Sequence, residues 1–179
     1  MLYMFLAEGF EETEAIGCLD IIKRAGIDIK TVSIYDDVKV TGSHGISVLS
    51  DITINDAEIS ETDGIILPGG MPGTLSLQSC EAVCEFIRYC SENDKMLAAI
   101  CAAPMIYGKM GLLKGKKATC YPGFEKDLED CEVTGDFVTA CDNFITGKGA
   151  GASMLFGAEI VNYFIEGKGD ILLKEVQHF

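Results

Sequence analysis

Hydrophobic and polar positions along the chain alternate between two periods. Leu2 to Ala7 is a short unbroken apolar run, suited to a strand buried on both faces. From Glu11 to Ala25, Ile16, Leu19, Ile22 and Ala25 recur at helical spacing, and Gly26 stops the pattern. Ile29 to Ile34 reads as a second strand. Val38 to Ile54 breaks into short apolar stretches around Gly42, Ser43 and Gly45, which predicts a β-excursion. Gly64 to Leu67 reads as a strand ending at Pro68-Gly69-Gly70, and Cys80 to Glu92 as a helix. A strand over Met96 to Ile100, a helix over Ala102 to Met110 and a strand over Lys117 to Tyr121 follow. Val138 to Thr146 holds one or two more strands, and a helix over Ser153 to Ile165 closes the chain. Strand and helix alternating with short links predict an α/β fold: a flavodoxin-like, doubly wound, mostly parallel sheet with helices on both faces. No linker, low-complexity stretch or repeat interrupts residues 1–179, so one domain is expected.

Composition narrows the class. Apolar residues make up 48% of the 179 and charged residues 23%, enough to build a core without metal or disulfide staples. Fourteen Lys and Arg against 28 Asp and Glu leave a net charge of −14, which repels phosphate backbones and anionic membranes. No nucleic-acid or membrane partner is therefore expected. No apolar run reaches spanning length, and the apolar start lacks a basic leader and cleavage site. Eight cysteines without an export signal point to a reducing, cytoplasmic setting. No Cys-x-x-Cys pair occurs, and neither His44 nor His178 lies near a cysteine in sequence, so no metal is expected. Cys80 and Cys84 read as small buried residues of a helix.

In sheets of this kind ligands bind beyond the carboxyl ends of the strands. Strand one runs into Glu8, Glu11, Glu12 and Glu14. Acidic residues in a first helical turn complement the helix dipole, which accounts for Glu11 and Glu12. Glu14 lies further in, where a desolvated carboxyl group retains its proton near neutrality. Gly69 and Gly70 form a tight turn whose uncovered N–H groups can also stabilise an oxyanion. The sharpest feature is Cys101, where a strand turns into Ala102-Ala103-Pro104 and a helix. Proline is tolerated only in a first helical turn, and a thiol at a helix N-terminus is expected to ionise easily. The layout parallels the nucleophile elbow of hydrolases. Tyr121 at the next strand end can bond a substrate or cap the core. Gly147 to Gly151 is neither a Walker loop nor a dinucleotide fingerprint, and reads as close backbone approach.

Four motifs occur in order: Glu-Gly-Phe-Glu-Glu-Thr-Glu-Ala (8–15), Leu-Pro-Gly-Gly (67–70), Ala-Ala-Ile-Cys-Ala-Ala-Pro (98–104) and Thr-Gly-Lys-Gly-Ala-Gly-Ala-Ser (146–153). Together they closely resemble the ThiJ/PfpI superfamily, in the branch of the Parkinsonism-associated deglycase. The resemblance implies a homodimer and a reactive Cys101 on a strained elbow. It implies a protonated Glu14 donating to the sulfur, with Gly69, Gly70 and Ala102 as backbone donors beside it. It places His44 where family members send a residue toward the partner subunit's site. No cofactor is implied. The chain also departs from the family. Tyr121 stands where many members carry a histidine, and Ala102 where the protease-like branch has one. The late His-x-Glu pair of class I glutamine amidotransferases is missing, since His178 is followed by Phe179. Protease and amidotransferase chemistry therefore lacks a general base. Three readings stay open: a cysteine-dependent enzyme on small α-oxoaldehydes or their early glycation adducts, a redox-sensing or protective protein in which Cys101 becomes a sulfinate, and a chaperone-like dimer without turnover.

Overall fold

The computed structural model describes residues 1–178. Its centre is a seven-stranded sheet. β1 (Leu2–Leu6) pairs in parallel with β2 (Ile29–Ser33) on one side and β6 (Gly64–Leu67) on the other. β6 pairs with β7 (Met96–Ile100), and β7 with β11 (Phe144–Gly147), all parallel. β5 (Ile52–Thr53) extends one edge, and antiparallel β10 (Val138–Cys141) closes the other. The five central strands run β2-β1-β6-β7-β11, the flavodoxin order. The remaining strands form two small sheets: an antiparallel hairpin of β3 (Lys39–Thr41) and β4 (Ser47–Leu49), and a parallel pair of β8 (Lys117–Ala118) and β9 (Glu132–Val133).

Side chains of β1 and β7 alternate between two cores because the strand period is two. Tyr3, Phe5, Leu97 and Ala99 face the layer of α2 (Gly73–Ser79), α3 (Glu81–Glu92) and α4 (Pro104–Lys109). Leu2, Met4, Leu6, Met96, Ala98 and Ile100 face α1 (Glu12–Arg24), α5 (Ser153–Phe164) and α6 (Lys168–Glu175). α1 starts because the Glu11 carboxylate caps it, accepting the Glu14 N–H at 2.6 Å. Lys23 and Arg24 complement its other end.

Four expectations need correction. Lys117 to Tyr121 is not a strand of the main sheet: β8 is two residues long and pairs only with β9. Thr119 leaves that ladder, its N–H donating to the Thr146 hydroxyl at 2.9 Å. The helix expected from Ala102 begins at Pro104, because Cys101 and the two alanines are taken up by the turn. Ser153 to Ile165 does not close the chain, since Gly167 in a left-handed conformation starts α6. On α1 the core face is Ala15, Cys18, Ile21 and Ile22, while Ile16 is 43% exposed.

Candidate active site

The carboxyl ends of β1, β6, β7 and β11 meet at Cys101. This residue has φ +64°, a left-handed conformation that costs a non-glycine residue about 1–3 kcal/mol. The neighbouring loops hold it there. Its N–H donates to the Gly147 carbonyl at 2.8 Å, and its own carbonyl accepts the Tyr121 N–H at 2.8 Å. The elbow is thus fixed from both sides, and Cys101 is half-buried.

Glu14 lies in the first turn of α1 with 1% of its surface exposed. Its carboxyl group hydrogen-bonds the Cys101 sulfur, and its Oε2 accepts the Gly69 N–H at 2.9 Å. Gly69 was expected to donate beside the sulfur; its N–H is committed to Glu14 instead. The amides of Gly70 and Ala102 do face the sulfur. Gly70 reaches it from a left-handed φ of +92°. A Cβ on Gly69 would come within 2.6 Å of both the Cys101 Cβ and Glu14 Oε2, so only glycine lets the two reactive groups touch.

The electrostatics differ from the simple helix-dipole expectation. Burial pushes the Cys101 thiol up to about 12, and the charge and hydrogen bonding of the Glu14 carboxylate add to this, against the two amides. Burial likewise pushes Glu14 up to about 7, with the hydrogen bond to Cys101 opposing it and the charge of Glu11 reinforcing it. These are two sides of one coupled pair. Repulsion of the sulfur belongs to the ionised form of Glu14. Once Glu14 is protonated, its O–H becomes a donor to the thiolate and the repulsion disappears. The pair therefore releases its first proton near neutrality and its second only at high pH.

His44 lies at the tip of the β3–β4 hairpin with an exposed ring. Its Nδ1 is 2.8 Å from Glu12 Oε2 and 4.0 Å from Glu11 Oε1. Glu12 was assigned to the helix dipole, but it anchors the hairpin: its Oε1 accepts the His44 N–H at 2.7 Å and the Ile46 N–H at 3.4 Å. Burial resists its ionisation, yet the His44 ring and these amides prevail and hold it down at about 2. The same ion pair raises the His44 pKa. Glu11, Glu12 and His44 form the one group of three side chains, among the described residues, spaced to hold a cation; no cysteine belongs to such a group.

Tyr121 is half-exposed beside the elbow. With Pro122, Phe137, Lys148 and residues 149–152 it lines a cleft of about 280 Å³. A Cβ on Gly149 would lie 3.2 Å from the Tyr121 ring and 4.0 Å from Glu14 Oε1, so this glycine joins the cleft to the reacting pair. Phe137 escaped the sequence reading, because an aromatic residue in a connecting segment gives no periodic signal.

The DJ-1/PfpI family matches residues 1–163. The protein DJ-1 homolog B of Arabidopsis thaliana is 35% identical over 162 residues, 89% of this chain and 37% of its own length. The chain thus spans less than two fifths of that relative. The deglycase PfpI of Pyrococcus furiosus is 35% identical over 135 residues, covering 74% of this chain and 80% of its own. Among solved structures, an oxidized DJ-1 of Toxoplasma gondii superposes with a TM-score of 0.94 at 26% identity, over 99% of this chain and 97% of that one. Among the described residues no helix is long and apolar enough to cross a membrane.

Proposed function

Because the chain belongs to the DJ-1/PfpI family, we propose that it is a cofactor-independent enzyme that converts small α-oxoaldehydes, or their early glycation adducts, into hydroxy acids. The observation that carries this reading is the hydrogen-bonded Glu14–Cys101 pair on its elbow, able to hold one proton near neutrality. The deglycase name of the Pyrococcus relative supports the substrate class.

With methylglyoxal, the Cys101 sulfur attacks the aldehyde carbon. A C–S bond forms, the carbonyl electrons move to oxygen, and that oxygen takes up a proton, giving a hemithioacetal. Gly70 and Ala102 N–H groups stabilise the charge that builds on oxygen. The Glu14 carboxylate then removes the proton from this carbon, and an enediol forms as the ketone oxygen is protonated. A proton returns to the former ketone carbon while the hydroxyl on the sulfur-bearing carbon gives up its own, and the thioester of lactate results. Water cleaves it, releasing lactate and restoring the thiol. The aldehyde carbon is oxidised and the ketone carbon reduced, so no external electron acceptor is required.

The test is lactate formation from methylglyoxal by purified protein. Cys101→Ala is expected to abolish it, and Glu14→Gln to lower kcat by roughly 10²–10⁴-fold. Full activity in Cys101→Ala would remove the reading.

A second reading rests on the same amides. N–H groups of Gly70 and Ala102 beside the sulfur, with a protonated Glu14, can hold a sulfinate made by two equivalents of peroxide with release of water. Peptide mass spectrometry after mild peroxide treatment decides it. Oxidation of Cys101 no faster than that of buried Cys18 or Cys120 counts against it.

A further inference from the structure

The cleft beside the reacting pair is larger than a three-carbon substrate needs. It holds about 280 Å³, near the lower end of sites for drug-sized ligands. Its walls are the Tyr121 and Phe137 rings, Pro122 and the Ala150 and Ala152 methyl groups. Phe137 presents 62% of its surface, and Tyr121 50%. The side-chain polar group among these walls besides the tyrosine hydroxyl is the Lys148 ammonium, which donates to the Gly135 carbonyl at 2.8 Å. The cleft is directional. The end at Gly149 lies nearest the reacting pair: a Cβ there would be 4.0 Å from Glu14 Oε1, and the neighbouring Tyr121 donates its N–H to the Cys101 carbonyl at 2.8 Å. A substrate whose carbonyl carbon meets the sulfur therefore has this aromatic-walled space beside it. Aromatic walls gain most from a flat apolar group, and water left against them costs free energy.

Resting on the enzymatic reading above, we propose that the preferred substrate is an aryl-substituted oxoaldehyde, with the aryl group on the ketone carbon seated between Tyr121 and Phe137. Phenylglyoxal is the probe. The atom balance is that of the smaller substrate: phenylglyoxal plus water gives mandelate, the aldehyde carbon oxidised and the ketone carbon reduced.

The experiment compares kcat/KM for phenylglyoxal and methylglyoxal by chromatography of mandelate and lactate, with Cys101→Ala as background. The ratio is expected to favour phenylglyoxal by about tenfold or more. In Phe137→Ala that ratio falls about tenfold, and in Phe137→Tyr it returns; taking a ratio cancels any shared loss of folded protein. A wild-type ratio at or below one, or a ratio indifferent to Phe137→Ala, overturns the proposal while leaving the enzymatic reading intact. Occupancy is read separately, as protection of Cys101 from iodoacetamide. Mandelate is expected to protect at about one tenth the concentration of lactate. Such protection without turnover of either aldehyde would keep the aryl seat and discard the enzymatic reading. Equal protection by the two acids would discard the seat.

Discussion

At the scale of single residues, the chemistry depends on which of two atoms carries one proton. Glu14 is pushed up to about 7 and Cys101 to about 12, burial leading in both, and the two interact too strongly to titrate apart. The alkylation rate of Cys101 against pH is therefore expected to show two steps. The first, near pH 7, takes one proton from the pair and leaves the other to Glu14 or Cys101; the second, at high pH, ionises the pair completely. In Glu14→Gln the lower step is expected to vanish, because no carboxyl group remains to share the proton. A single step at an ordinary thiol pKa in the native protein, measured by iodoacetamide kinetics with peptide mass spectrometry, would show that the pair is uncoupled.

At the scale of elements, the β3–β4 hairpin is joined to α1 mainly by one carboxylate. Glu12 accepts from two hairpin amides, the His44 ring and the Ser43 hydroxyl. Glu12→Ala removes the acceptor shared by those donors, which lie on exposed residues and can turn to water, so the loss is roughly 0.5–1.5 kcal/mol. Hydrogen exchange at His44 and Ile46 is expected to quicken in that variant, while the amides of β1 keep their protection. Because the folded pKa of Glu12 is depressed to about 2, its contribution is fully present above about 4.5 and is lost as pH falls through about 2. Unchanged hairpin exchange would assign the anchorage to other contacts. This link also marks a boundary of what the sequence reveals. The helix dipole was reason enough for an acidic residue at position 12, so nothing in the local pattern pointed to a partner 32 residues away. Local signals did place Cys101, since a cysteine between a buried strand and a proline-started helix has few other conformations. Strands β1, β6 and β7 were equally legible, because continuous burial leaves an unbroken apolar run. Helices α2 and α6 were not: seven and eight residues carry too few turns for a period to emerge.

At the scale of the whole molecule, a charge of −14 on 179 residues makes compactness work against self-repulsion. Each of the eleven ion pairs among the described residues has at least one exposed partner, and a pair open to water adds little. Screening should therefore help more than it harms. Tm is expected to rise by several degrees between low salt and about 0.5 M sodium chloride, where the Debye length falls below about 10 Å. A falling Tm in calorimetry at constant pH would mean that attractive pairs outweigh the repulsion.

The seat at residue 69 carries a lesson for reading kindred chains. Nothing larger than hydrogen fits between the Cys101 Cβ and Glu14 Oε2. A chain can therefore retain both the thiol and the acid, pass every inspection of its reactive residues, and still be inert because one methyl group wedges them apart. Such a silenced copy is betrayed only by the residue that takes no part in the reaction.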